Sequence, residues 1–232
     1  MVVLSDLEKG YLCVISGIDG SGKSALLRSM MARCEDLGVS PVKRKFRSGF
    51  IKSIYLFLKP GSKRDKIHES GGAKKKNPAV PKNIAVQRIY LFITLLDICL
   101  YVVRLRWDLM LQRVIFIDRY YWDSQVEFEE KLPRANITGS FLWRLATRLA
   151  PVPDAAFLLH LSTEEAIRRM QVRNTQLIEP FDIQSFEVLE ERNLRYQELS
   201  RDVRWIVLDA TESPERLLEK AWGIVKNTGH IH

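Results

Sequence analysis

The chain has 232 residues and a formal net charge of +8, with 46% of its residues hydrophobic and 28% charged. That length can bury one substantial α/β core, and the composition excludes a chain disordered throughout. The positive balance favours acidic partners as a class (nucleotides, phosphorylated glycans, nucleic acid, an anionic membrane) without choosing among them.

In chain order, residues 12–16, 39–46, 114–118, 155–161 and 205–209 are apolar runs that read as buried parallel strands, the second weakened by basic residues. Stretches of helical spacing separate them, which is the βαβ signature of a doubly wound sheet with helices on both faces. The first helix is expected over 22–37, with Leu26, Leu27, Met30, Met31 and Cys34 facing inward and Gly38 as its stop. Residues 59–82 hold eight Lys/Arg against two acids, together with Gly71-Gly72, Pro60, Pro78 and Pro81. This stretch reads as a mobile basic loop, either a solvated insertion or a flap over a polyanionic substrate. Residues 84–103 are strongly apolar but carry Gln87, Arg88, Thr94 and Asp97, so a buried core helix is expected rather than a membrane span. Later helices are expected over 163–173, capped by Ser162 with Glu164 and Glu165 in the first turn, over 186–199, and from Ser213-Pro214-Glu215 onward.

Cys13, Cys34 and Cys99 lie far apart in apolar surroundings and read as reduced core thiols, with no spacing that suggests structural zinc. The start MVVLSDLEKG lacks the basic and long apolar regions of a signal peptide, so a cytoplasmic protein is expected.

Gly17-Ile18-Asp19-Gly20-Ser21-Gly22-Lys23-Ser24 fits GxxxxGK[ST] between an expected strand and an expected helix. Glycines let the backbone turn its N–H groups inward, where they and the helix N-terminus hold a β-phosphate. Gly17, Asp19, Gly20, Ser21, Gly22, Lys23, Ser24 and Ala25 are therefore the expected ATP-binding residues. Lys23 is expected to reach the β- and γ-phosphates, and the Ser24 hydroxyl to ligate Mg²⁺. Asp118 ends an apolar strand, where such sheets face their ligand crevice, and is the expected acid on the Mg²⁺ side. The chemistry indicated is Mg-ATP phosphotransfer.

The residues around these motifs resemble the thymidylate kinase family. Asp19 within the loop matches the family's GxDGxGK[ST], and Asp118-Arg119-Tyr120 matches its DRY. Residues 153–159 followed by 161–166 are similar to its PDL…eeA stretch, and Glu191-Arg192 through Tyr196 to its lid-exit helix. The resemblance implies a P-loop NTPase fold of adenylate-kinase type, with five parallel strands in the order 2-3-1-4-5. It also implies one kinase domain over 1–232 with a short lid at about 168–182, and homodimers, which are common in the family. Arg119 is implied to grip the acceptor phosphate, beside Asp19 and Tyr120. Some members carry a catalytic Arg in the loop where this chain has Gly20, so Arg168, Arg169 and Arg173 of the lid are the expected donors of catalytic charge.

Three departures fall on the acceptor side. Lys43-Arg44-Lys45-Phe46-Arg47-Ser48 replaces the family's Arg-Glu-Pro-Gly-Gly signature, leaving Arg47 to meet a phosphate. Leu96 stands where members place an Arg that reads the base, and Asp123 replaces a serine. A carboxylate there favours the hydroxyls of a sugar. The pattern also resembles divergent members from polysaccharide gene clusters. Three readings follow: a nucleoside monophosphate kinase, with dTMP the first named acceptor; a kinase of a sugar, glycan terminus or lipid-linked saccharide; and a nucleotide-gated switch without catalysis. Nucleic acid is not expected as a partner, and contact with an anionic surface is not favoured.

Overall fold

The computed structural model describes residues 10–46, 84–131, 137–175, 185–202 and 205–229. Arg47, the basic stretch 59–82 and the part of the expected lid beyond 175 lie outside them. Five strands form one parallel sheet: β1 (Tyr11–Gly17), β2 (Val42–Lys45), β3 (Val114–Asp118), β4 (Ala155–His160) and β5 (Ile206–Asp209). Their spatial order is β2-β3-β1-β4-β5, as expected. The expected second strand shrinks to four residues, because only Val42 in its ordered span is a β-branched apolar residue. β1 is the central strand and is buried along its whole length.

The helices are α1 (Lys23–Asp36), α2 (Ile84–Met110), α3 (Tyr121–Lys131), α4 (Phe141–Leu149), α5 (Thr163–Thr175), α6 (Phe186–Asp202) and α7 (Pro214–Gly229). α1 stops at Gly38, whose φ of 80° suits a residue without Cβ and whose N–H bonds to the Glu35 carbonyl at 2.9 Å. The Ser162 and Ser213 hydroxyls accept from the backbone N–H groups of Glu165 and Arg216, capping α5 and α7.

Alternation along β1 divides the core in two. Tyr11, Cys13 and Ile15 face one cluster, completed by Leu26, Leu27 and Met30 of α1 and by Leu217, Ala221 and Trp222 of α7. Leu12 and Val14 face the other, completed by Leu95, Ile98, Val102 and Leu105 of α2 and by Trp143 and Ala146 of α4. Cys13 and Cys34 are buried and Cys99 is partly buried, all as free thiols.

α2 corrects the expectation of a buried core helix. It runs seven residues past 103 and buries one face only. Ile89, Phe92, Leu96, Leu100, Val103, Trp107 and Met110, every third or fourth residue, stay exposed. Among the described residues no helix is long and apolar enough to cross a membrane.

Candidate active site

The C-terminal end of β1 delivers the chain into the phosphate loop. Gly17, Gly20 and Gly22 have φ of 140°, 90° and 92°, values that carry the backbone around the turn. Gly20 has a second constraint. A Cβ there would lie 2.6 Å from the Ala166 carbonyl oxygen, so the first turns of α5 pack directly on the loop. That contact leaves no room for an Arg at this position. Gly22 opens α1, whose first N–H groups have no carbonyl one turn back. Ser24 and Ala25 lie exposed on that first turn, and Ser21 is fully buried with its hydroxyl unpartnered.

Lys23 is 6% exposed, and its Nζ donates to the Ile18 carbonyl at 2.6 Å, closing over the loop. Burial, with Arg119 adding to it, lowers the Lys23 pKa to about 8 against the pull of Asp19, Asp118 and Asp123. Asp118 ends β3 beside Ile15 of β1 and is almost fully buried. Its Oδ2 lies 4.0 Å from Lys45 Nζ, while its Oδ1 is buried without a hydrogen-bond partner. The orphaned Asp118 carboxylate oxygen and the exposed Ser24 hydroxyl are both oxygen donors of the kind that fits a hydrated divalent cation.

Directly after Asp118 the chain turns through Arg119, whose φ is 71°. The turn sends the guanidinium back to Asp19, where its Nη2 donates to Oδ1. Two further cations meet the same carboxylate: Lys23 Nζ at 3.9 Å and Arg192 Nη1 at 3.6 Å. Burial alone would raise the Asp19 pKa, but Arg119, Lys23 and Arg192 outweigh it and hold it below the usual range. Asp19 also holds the Arg119 pKa above its ordinary value against the opposing effect of burial. One acid thus anchors three cations beside the phosphate loop.

Arg192 escaped the sequence reading as a site residue. α6 turns Leu189, Arg192, Asn193 and Tyr196 inward at i, i+3, i+4 and i+7, each less than a tenth exposed. Asn193 Nδ2 donates to the Leu161 carbonyl at 3.2 Å, and Thr163 donates its hydroxyl to Glu190, fastening α6 to the β4–α5 junction. The spacing L-x-x-R-N-x-x-Y was visible, but three of its four members are polar and do not register as an inward stripe.

Two expected acceptor residues turn inward. Asp123 is 4% exposed and accepts from Ser16 Oγ at 2.7 Å, from the Tyr120 backbone N–H at 2.6 Å and from the Tyr196 hydroxyl. Its oxygens bind β1, the β3–α3 turn and α6 together rather than facing a sugar hydroxyl. The Tyr196 phenol stays protonated, as burial and the Asp123 charge push its pKa far up. Tyr120, also expected at the acceptor, is wholly buried in the second core between Phe46 and Trp122, and its hydroxyl donates to the Pro151 carbonyl at 2.9 Å.

The expected lid arginines lie on α5. Arg168 and Arg169 both donate to Glu165, at 2.6 and 2.8 Å, and these bonds lower the Glu165 pKa to about 2. Arg173 is exposed near the helix end. Leu96 projects from the exposed face of α2.

The thymidylate kinase family profile matches residues 82–221, a span that starts beyond the phosphate loop. A protein of Sulfurisphaera tokodaii named "Probable thymidylate kinase" is 29% identical over 112 residues, which is 48% of this chain and 54% of that protein. The chain spans about half the length of this curated relative.

Proposed function

The chain belongs to the thymidylate kinase family, and from that premise we propose that it moves the γ-phosphate of Mg²⁺-bound ATP to a nucleoside monophosphate, dTMP being the first candidate. The convergence of Lys23, Arg119 and Arg192 on Asp19 is the observation that carries this reading. Three cations gathered on one carboxylate beside the loop suit the phosphates of two substrates meeting there. Phosphoryl transfer asks a protein mainly for positioning and charge stabilisation. In this reading Lys23 leaves the Ile18 carbonyl for the β- and γ-phosphates. Arg119 and Arg192, entering from β3 and α6, take the acceptor phosphate from two walls.

Ser24 and Asp118 would hold Mg²⁺, which would offset the charge developing on the phosphates in transfer. Ala166 rests on Gly20, and residues three and seven positions further along a helix share its face. Arg169 and Arg173 are therefore the lid arginines assigned to the transferring group. Arg168, two positions on, points to the opposite side.

A sugar or glycan acceptor is the alternative; of the two residues that pointed to it, Leu96 lies on the exposed face of α2 and Asp123 is bonded within the protein. The test is an acceptor panel with ATP: dTMP, dUMP, dCMP, free sugars and sugar phosphates. Nucleoside monophosphates should turn over, with dTMP favoured over dUMP by no more than the roughly 1–3 kcal/mol that a methyl group gains in an apolar pocket. Turnover of sugars alone would favour the alternative, and tight ATP binding without transfer to any acceptor would favour a nucleotide-gated switch.

Self-association through the exposed face of α2 completes the reading. Its seven large apolar side chains offer roughly 100 Å² each, about 700 Å² in all, close to one partner's share of a standard interface.

A further inference from the structure

β2 is an edge strand, and beside it the C-terminal half of α2 closes a groove of about 310 Å³. Lys43, Arg44 and Lys45 line it from the strand, and Tyr101, Arg104 and Asp108 from the helix. Four cations thus face one acid. That acid is already engaged on both oxygens, by Arg44 Nη2 at 2.8 Å and Arg113 Nη1 at 2.7 Å. Lys45 reaches Asp118 only at 4.0 Å, and among the described residues no carboxylate pairs with Lys43 or Arg104. The groove therefore carries uncompensated positive charge.

Two donors give that charge a direction. The Nε–H of Arg44 and the hydroxyl of Tyr101 are buried and meet no acceptor among the described residues. Such groups are rare in folded proteins, since burial removes their water without supplying a substitute. Burial also raises the Tyr101 pKa, which keeps the phenol a donor. A phosphate group offers several acceptor oxygens and at least one full negative charge. A carboxylate could also accept from both donors, but a phosphate group brings more acceptor oxygens and up to two charges to the surplus cations.

We propose that the groove between β2 and α2 is a second anion site, binding a phosphate group through Arg44 and Tyr101 with Lys43 and Arg104 supplying the balancing charge. The site uses none of Lys23, Arg119 and Arg192, although Lys45 at its edge comes within 4.0 Å of Asp118, and it does not depend on which acceptor the kinase uses. The phosphate can come from a free inorganic anion or from a phosphorylated small molecule.

The experiment is calorimetric titration of pyrophosphate into the full chain with its phosphate loop saturated by a non-hydrolysable ATP analogue. One binding step that is indifferent to Arg119 should remain. Lys43 and Arg104 are exposed, so Lys43→Glu with Arg104→Glu should leave the melting temperature in place and weaken this step by about tenfold or more. Tyr101→Phe, which removes one hydroxyl, should weaken it about threefold or more, and Arg119→Ala should not change it. Competition by dTMP or glucose 1-phosphate would identify the occupant as a phosphomonoester, and its absence an inorganic anion. A step that survives the double charge reversal, a step lost in Arg119→Ala, or no step at all would overturn the proposal.

Discussion

α6 and α2 break the usual pattern of burial in opposite directions. α6 turns Arg192, Asn193 and Tyr196 into the protein, while α2 turns Phe92, Leu100, Val103 and Trp107 out of it. A buried polar stripe is costly unless each group is answered, and here each has a partner: Asp19, the Leu161 carbonyl and Asp123. The outward apolar stripe is answered by nothing among the described residues. The contrast teaches that packing among the described residues accounts for the inward stripe of α6 but for only one face of α2.

The harshest way to break the comparison is to remove the charge that the α6 stripe serves. Lys23→Ala should lower the transfer rate by about a thousandfold or more, since contacts realised in the transition state are worth several kcal/mol. Steady-state rates on a protein shown to be folded by circular dichroism check this, and near-parent turnover would remove the enzymatic reading. A milder change tests the stripe itself. Tyr196→Phe leaves Asp123 Oδ1 without its donor and should cost about 1–3 kcal/mol in urea unfolding. An unchanged midpoint would mean that the Ser16–Asp123–Tyr196 chain does not fasten α6.

The third prediction concerns pH. Burial favours the neutral form of Lys23 and sets its pKa at about 8 in the nucleotide-free protein, so the charge that meets ATP is present below that pH and lost above it. ATP affinity should therefore fall as pH rises through about 8, while the rate at saturating ATP holds to higher pH, because bound phosphates restore the charge. Dissociation constants measured from pH 6.5 to 9.5 check the sign, and affinity that rises with pH would contradict it. The smallest effect belongs to α2. Val103→Glu should change the unfolding free energy by no more than about 0.5 kcal/mol, as at an ordinary surface position, yet shift sedimentation equilibrium toward the monomer. Loss of stability without a change in mass would mean that the face packs against its own chain.

The sequence made the sheet legible because four of its five strands are contiguous apolar runs, and the phosphate loop legible because its function lies in eight adjacent residues. β2 was overextended, its polar residues being tolerated at an edge. α3 and α4 went unread: each is short, and Trp122 with Val126 and Trp143 with Ala146 give only two buried apolar positions apiece. The acceptor side was misread for a different reason. What a carboxylate does depends on the donors the fold brings to it, and Ser16 and Tyr196 reach Asp123 from 107 and 73 residues away. Tyr120 was placed at the acceptor by its neighbourhood in DRY, but the left-handed turn at Arg119 sends the two side chains to different places.

The central claim is that Arg192, held inward by α6, joins Arg119 in gripping the acceptor. It is tested most directly by steady-state kinetics of Arg192→Met and Arg192→Lys with dTMP and ATP varied in turn. The account predicts that Met lowers kcat/KM for the acceptor about a hundredfold, changes KM for ATP little, and is partly rescued by Lys, as befits loss of a buried charge contact. Equal losses toward both substrates, or an acceptor kcat/KM within a factor of about two of the parent, would contradict it.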